Sequence, residues 1–131
     1  MTDDELLREV ATTFGRLKSV AGVYDDTRRP TAVFLTFERG VVEVHAEPDD
    51  DSVVVRRAAV PSGALDLSRR APWDSAVGGT VLWFWTLQNH RGYTDGVQML
   101  VVRSPGDEIN LQMVVVASQV SVHAVTEITD R

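Results

Sequence analysis

The chain reads as an α+β domain: one N-terminal amphipathic helix, then a mainly antiparallel sheet of about seven or eight short strands, strongly curved or folded into a partly open barrel or sandwich. Three observations predict this. Helical spacing of apolar residues is confined to the first fifteen positions, apolar and polar residues alternate from Val20 onward, and clusters of Asp, Asn, Pro and Gly interrupt the alternation at short intervals. With 131 residues, 44% apolar and 24% charged, the chain suits a single buried core, so one domain over residues 1–131 is expected.

The helix comes first. Thr2-Asp-Asp-Glu5 carries the capping-box pattern, in which the threonine hydroxyl accepts from the amide three residues on and the glutamate reaches back. Leu6, Leu7, Val10 and Phe14 share one helical face, acidic residues sit at the positive end of the helix dipole, and Gly15 is the expected stop.

Strands follow. Val20 to Tyr24 is a first strand, closed by Asp25 to Pro30. Val33, Leu35 and Phe37 alternate with Phe34, Thr36 and Glu38, and an Arg39-Gly40 turn pairs Phe37 with Val42, Leu35 with Val44 and Val33 with Ala46. Asp49-Asp50-Asp51 is the next turn and Ser52 to Arg57 the next strand. Residues 58–78 lose the alternation and contain Pro61, Gly63 and Pro72, which makes them a long connection with one helical turn near Leu65 to Arg69. Two hairpins close the chain: Val81–Leu87 with Tyr93–Arg103, and Glu108–Val116 with Gln119–Ile128.

Charge and composition remove several function classes. The net charge of −6 and scattered arginine pairs at Arg28-Arg29, Arg56-Arg57 and Arg69-Arg70 argue against nucleic-acid binding, which needs a basic stripe. The absence of cysteine excludes disulfides, thiolate metal sites and a cysteine nucleophile, and fits a cytoplasmic location. Met1-Thr-Asp-Asp-Glu is no signal peptide, and the longest apolar run, Met113–Ala117, falls short of the roughly 20 residues that span a bilayer, so no membrane association is expected. His45, His90 and His123 have no metal-ligand spacing, and Glu47-Pro-Asp-Asp-Asp51 lacks the alternating ligands and glycine of a calcium loop. No metal, cofactor or catalytic residue is assigned, and the chain reads as leaning away from enzymatic activity.

The stretch Trp83 to Gln98, WFWTLQNHRGYTDGVQ, is the most informative. A four-residue loop pairs Gln88 with Tyr93, Thr86 with Asp95 and Phe84 with Val97, and sets Trp85 across from Gly96. Trp83, Phe84, Trp85 and Val97 are then packing residues of a central strand pair. The candidate ligand or partner contacts narrow to Gln88, Asn89, His90, Tyr93 and Asp95, which either build the turn or line a pocket.

The pattern W-x-W-x-L-x-N-x-x-G-Y-x-D, formed by Trp83, Trp85, Leu87, Asn89, Gly92, Tyr93 and Asp95, resembles an uncharacterised family of small bacterial proteins known as a domain of unknown function. The acidic turn before a short strand and the closing strand pair are similar too, so the resemblance covers roughly residues 17–128. It implies a bacterial α+β domain without an established activity. In size and charge such chains look like the immunity proteins that neutralise secreted toxins.

The leading expectation is a non-enzymatic binding or interaction protein, immunity-like, that meets a partner with a basic surface. The alternative is a small-molecule-binding domain or enzyme using the polar tip at 88–95. A third reading is a homodimer that buries a sheet face containing Phe34 and Val41.

Overall fold

A computed structural model describes residues 2–26 and 28–126. The α-helix α1 (Asp3–Thr12) starts as its capping box requires: the Glu5 amide donates to Thr2 Oγ1 and the Thr2 amide to Glu5 Oε2, both at 3.2 Å. Its Leu6, Leu7 and Val10 are buried. Gly15 follows at φ +80°, a conformation that glycine reaches without the Cβ clash of other residues.

Among the described residues nine strands form two antiparallel sheets. The first contains β1 (Leu17–Tyr24), β2 (Pro30–Phe37), β3 (Gly40–Glu47), β4 (Ser52–Arg57) and the two-residue β5 (Leu65–Asp66), in the order β4-β3-β2-β1-β5. The second is a meander of β6 (Thr80–Gln88), β7 (Thr94–Ser104), β8 (Asp107–Val116) and β9 (Gln119–Val125). Strand β1 thus begins three residues earlier than the alternation predicted. The segment near Leu65 is a strand on β1 where a helical turn was expected, and a 3₁₀ turn lies later, at Trp73–Ser75. The expected last strand runs to Val125, and its end at residues 127–128 lies outside the described residues.

Alternation decides which faces meet. Val33, Leu35, Val42, Val44, Val53 and Val55 of one sheet share the core with Val97, Met99, Val101, Leu111, Met113 and Val115 of the other. Helix α1 packs on β4 and β6, and the segment after β5 adds Leu67, Trp73 and Ala76. Phe14 stands edge-on to Phe37, with centroids 5.8 Å apart, and the Arg57 guanidinium lies over the Phe14 ring, 4.7 Å from its centroid. Truncating such a ring to alanine costs about 3–5 kcal/mol, a large share of a small domain's stability.

Two registers differ from expectation by two residues, with the buried faces unchanged. In the β2–β3 hairpin Leu35 pairs with Val42 and Phe37 with Gly40, so the turn is Glu38-Arg39. The reason is tertiary: the Glu38 and Arg39 amides donate to Arg16 O and Phe14 O, each at 3.0 Å, which pins those two residues at the bend. Gly40 opens the strand because a Cβ there would lie 2.7 Å from Phe14 Cε2. In the β6–β7 pair Phe84 faces Met99, Trp85 faces Gln98 and Thr86 faces Val97, with an irregularity at Leu82 that advances the register. Gly96 therefore makes room for Leu87 and the Met113 carbonyl, each 3.0 Å from where its Cβ would be, and not for Trp85.

Candidate functional site

Strand β6 is an edge strand, not the centre of a two-sided pair, and this changes the standing of its tryptophans. Phe84 packs against the core and Val97 is buried, as expected. Trp83 and Trp85 instead point to the outer face and are 59% and 41% exposed; Leu82, at the register irregularity, is 60% exposed. Both indoles were expected to pack. The period-two pattern gave their shared face correctly, but a strand with large apolar groups on both faces reads the same whether central or at an edge.

Phe34 differs in the other direction. It lies on the face of β2 opposite the core, yet it is only 5% exposed within the single chain. Of the expected dimer face, Phe34 is thus buried within the single chain and Val41 half-buried, and the two most exposed large apolar side chains, Leu82 and Trp83, lie on β6.

The tip beyond β6 divides into residues that build the turn and residues that face outward. Asn89 Oδ1 accepts the amides of Arg91 at 2.9 Å and Tyr93 at 3.2 Å, and the Asn89 amide donates to Tyr93 O at 2.9 Å. Gln88 Nε2 donates to Gly92 O at 2.8 Å, and Gly92 holds φ +89°. Gln88 and Asn89 are thereby engaged in the loop itself. His90 is exposed, Tyr93 is 43% exposed and Asp95 is half-buried.

His90, Tyr93 and Asp95 line an open concavity of about 510 Å³, and the opposite wall is the acidic turn Asp49-Asp50-Asp51. Two stretches forty residues apart in the chain thus form one surface at one end of the sandwich. Two of its carboxylates have defined partners. The Ser52 amide donates to Asp50 Oδ1 at 2.9 Å, and the Ser52 hydroxyl and amide together hold the Asp50 carboxyl below the usual carboxylate range. Asp51, at φ 56°, accepts from the Ser118 amide at 2.7 Å and the Ser118 hydroxyl at 3.2 Å, which ties the acidic turn of one sheet to the β8–β9 turn of the other.

A second polar cluster, not singled out by the sequence, sits on the outer face of the first sheet. Glu43 is 7% exposed, bonded by Arg56 Nε at 2.6 Å, with His45 Nδ1 at 3.6 Å, beyond hydrogen-bond length. At the helix start, burial pushes the Asp3 carboxyl above its usual range, partly offset by the Val55 amide that donates to it at 3.3 Å. Alternation predicts Glu43 to be solvated, so no local signal marks its burial.

Among the described residues no group of His, Cys, Asp and Glu has the arrangement of a metal site, and no helix is long and apolar enough to cross a membrane. Comparison with curated proteins and with solved structures gave no match. A family model covers nearly the whole chain: the protein belongs to DUF6334, a family of unknown function, matched over residues 1–129.

Proposed function

We propose that the chain is a non-enzymatic interaction protein, whose partner seats an apolar anchor on Trp83 and Trp85 and basic side chains on the acidic end of the sandwich. The carrying observation is the exposure of two indoles on an edge strand, 59% and 41%, next to the exposed Leu82. Tryptophan dominates binding hot spots because its large rigid surface is covered at small entropic cost. The same strand leads to Tyr93, Asp95 and the 49–51 carboxylates, which suit a positively charged rim around that anchor. Of the five tip residues, His90, Tyr93 and Asp95 are proposed as contacts, with Gln88 and Asn89 shaping the loop that presents them.

An immunity-like role, the capture of a basic toxin, is the form of this reading that the charge favours. A photoreactive residue at position 85 should crosslink a protein encoded beside the gene, a control at position 63 should not, and the captured protein should lose binding when Trp83 and Trp85 both become alanine. Equal binding by that double variant refutes the surface. A stable dimer in light scattering, lost in the same variant, replaces the foreign partner with a second copy.

The competing reading, a small-molecule site or enzyme at the tip, draws on the concavity that His90, Tyr93 and Asp95 share. It requires an oriented base. Among the described residues the His90 ring has no hydrogen-bond partner, which favours the interaction reading.

A further inference from the structure

Strand β6 has one side without a backbone partner. Among the described residues its backbone pairs with β7 and, on the opposite side, with Arg16 at Thr80 alone. Such an edge is a template for another chain, and proteins guard it with charge, proline or short length. β6 reads TVLWFWTLQ, with neither charge nor proline. The other edges are guarded: β4 ends in Arg56-Arg57, β5 has two residues, and β9 shares a hollow with Pro30, Pro72 and Trp73. The irregularity at Leu82 interrupts β6 near its start and leaves Trp83 to Leu87 in unbroken register.

The space beside this edge has a definite shape. Trp83 and Phe84 are consecutive and point to opposite faces of the sheet, yet both line one concavity of about 390 Å³, so the hollow opens onto the edge itself. Its far wall is α1, through Arg8, Ala11 and Thr12. A smaller hollow of about 130 Å³ lies farther along the helix, where Asp3, Asp4 and Leu7 meet Thr86. The helix therefore runs alongside β6, and a groove with a strand on one side and a helix on the other lies between them. Charge is ordered along it. Arg8 stands beside Leu82 to Phe84, Asp3 and Asp4 stand beside Thr86, and Asp95 with the 49–51 turn lies beyond.

We propose that the partner of the Trp83–Trp85 surface docks by adding a strand to β6: an extended segment of about six residues, apolar at alternate positions, with a carboxylate opposite Arg8 and a basic side chain opposite Asp3 and Asp4. The inference rests on the proposed partner surface and specifies how that surface is read. Backbone bonds to β6 give affinity for an extended chain, alternate side chains reach α1 on one face and the indoles on the other, and the two charges fix its direction.

The test selects random heptapeptides, displayed on phage, against the intact protein and measures the synthetic winners by calorimetric titration. Winners should alternate apolar and polar residues, carry basic and acidic side chains at opposite ends, and slow hydrogen exchange of the β6 amides. N-methylation of alternate peptide amides should weaken binding by about tenfold or more, and methylation of the intervening amides should not, because only every second residue of an added strand turns its amide to β6. Trp83→Ala with Trp85→Ala should weaken binding by a similar factor, and Arg8→Gln should remove the advantage of the acidic residue. Enrichment of no peptide overturns the proposal. Winners that need both tryptophans yet tolerate methylation at every amide overturn strand addition and leave the partner surface standing. Winners indifferent to the loss of both tryptophans overturn the partner surface and strand addition with it.

Discussion

Asp51 links the two sheets, and the cost of losing it follows from its geometry. Ala117 and Ser118, at φ 52° and 64°, are the central residues of the two-residue β8–β9 turn, which is therefore of the type that normally recruits Asn and Gly. Asp51 holds it by accepting from the Ser118 amide at 2.7 Å. A hydrogen bond to a charged acceptor is worth about 1.5–3 kcal/mol, and the half-exposed setting argues for the lower end, about 1.5 kcal/mol. Asp51 itself sits at φ 56°, where alanine is disfavoured by about 1 kcal/mol. Asp51→Ala should therefore cost about 2.5 kcal/mol in urea unfolding followed by circular dichroism. Asp51→Gly loses the same bonds but relaxes the backbone, so about 1.5 kcal/mol is expected. Asp51→Asn keeps an acceptor oxygen and should cost about 0.5–1 kcal/mol. An alanine variant within about 0.5 kcal/mol of wild type, or glycine worse than alanine, refutes the reasoning.

Other outcomes follow from the same structure. Ala117→Asn places a residue tolerant of positive φ in that turn and should stabilise the protein by about 0.5–1 kcal/mol in the same assay. Gly40→Ala drives a methyl into Phe14 and should destabilise by about 1–3 kcal/mol, read as a lowered urea midpoint. In variants that keep one tryptophan each, acrylamide should quench Trp83 and Trp85 strongly and Trp73, 4% exposed, weakly; equal quenching of all three contradicts the edge assignment of β6. Carboxyl NMR titration should find Asp3 above 3.8 and Asp50 and Asp66 below it. The raised Asp3 value contributes stability that is lost as pH rises through it, and the depressed pair contribute stability lost as pH falls through theirs.

What local chemistry controls was legible in the chain. The Thr2–Glu5 capping box, the stop at Gly15 and the inward faces of β2 and β3 are each set by residues within a few positions of one another. Registers were not legible, because the β2–β3 turn is fixed by carbonyls of Phe14 and Arg16, more than twenty residues away. Nor was the difference between edge and centre, which left Trp83 and Trp85 misjudged, nor the cover over Phe34 and Glu43. At the candidate site the sequence separated His90, Tyr93 and Asp95 from the packing residues, and it noted Asp49 to Asp51 as a turn. Their meeting in one concavity depends on how the sheets stack.

Each sheet is written in one uninterrupted stretch, residues 17–66 and 80–125, yet neither half is closed without the other. Helix α1 belongs by sequence to the first half and rests against β6 of the second, while the segment leading into the second half reaches back to lay β5 along β1 and to put Leu67, Trp73 and Ala76 into the core. The halves clasp each other reciprocally. Loosening either clasp exposes the apolar faces of both, so a single transition is the expected outcome of urea unfolding, although the strands are arranged as two separate meanders.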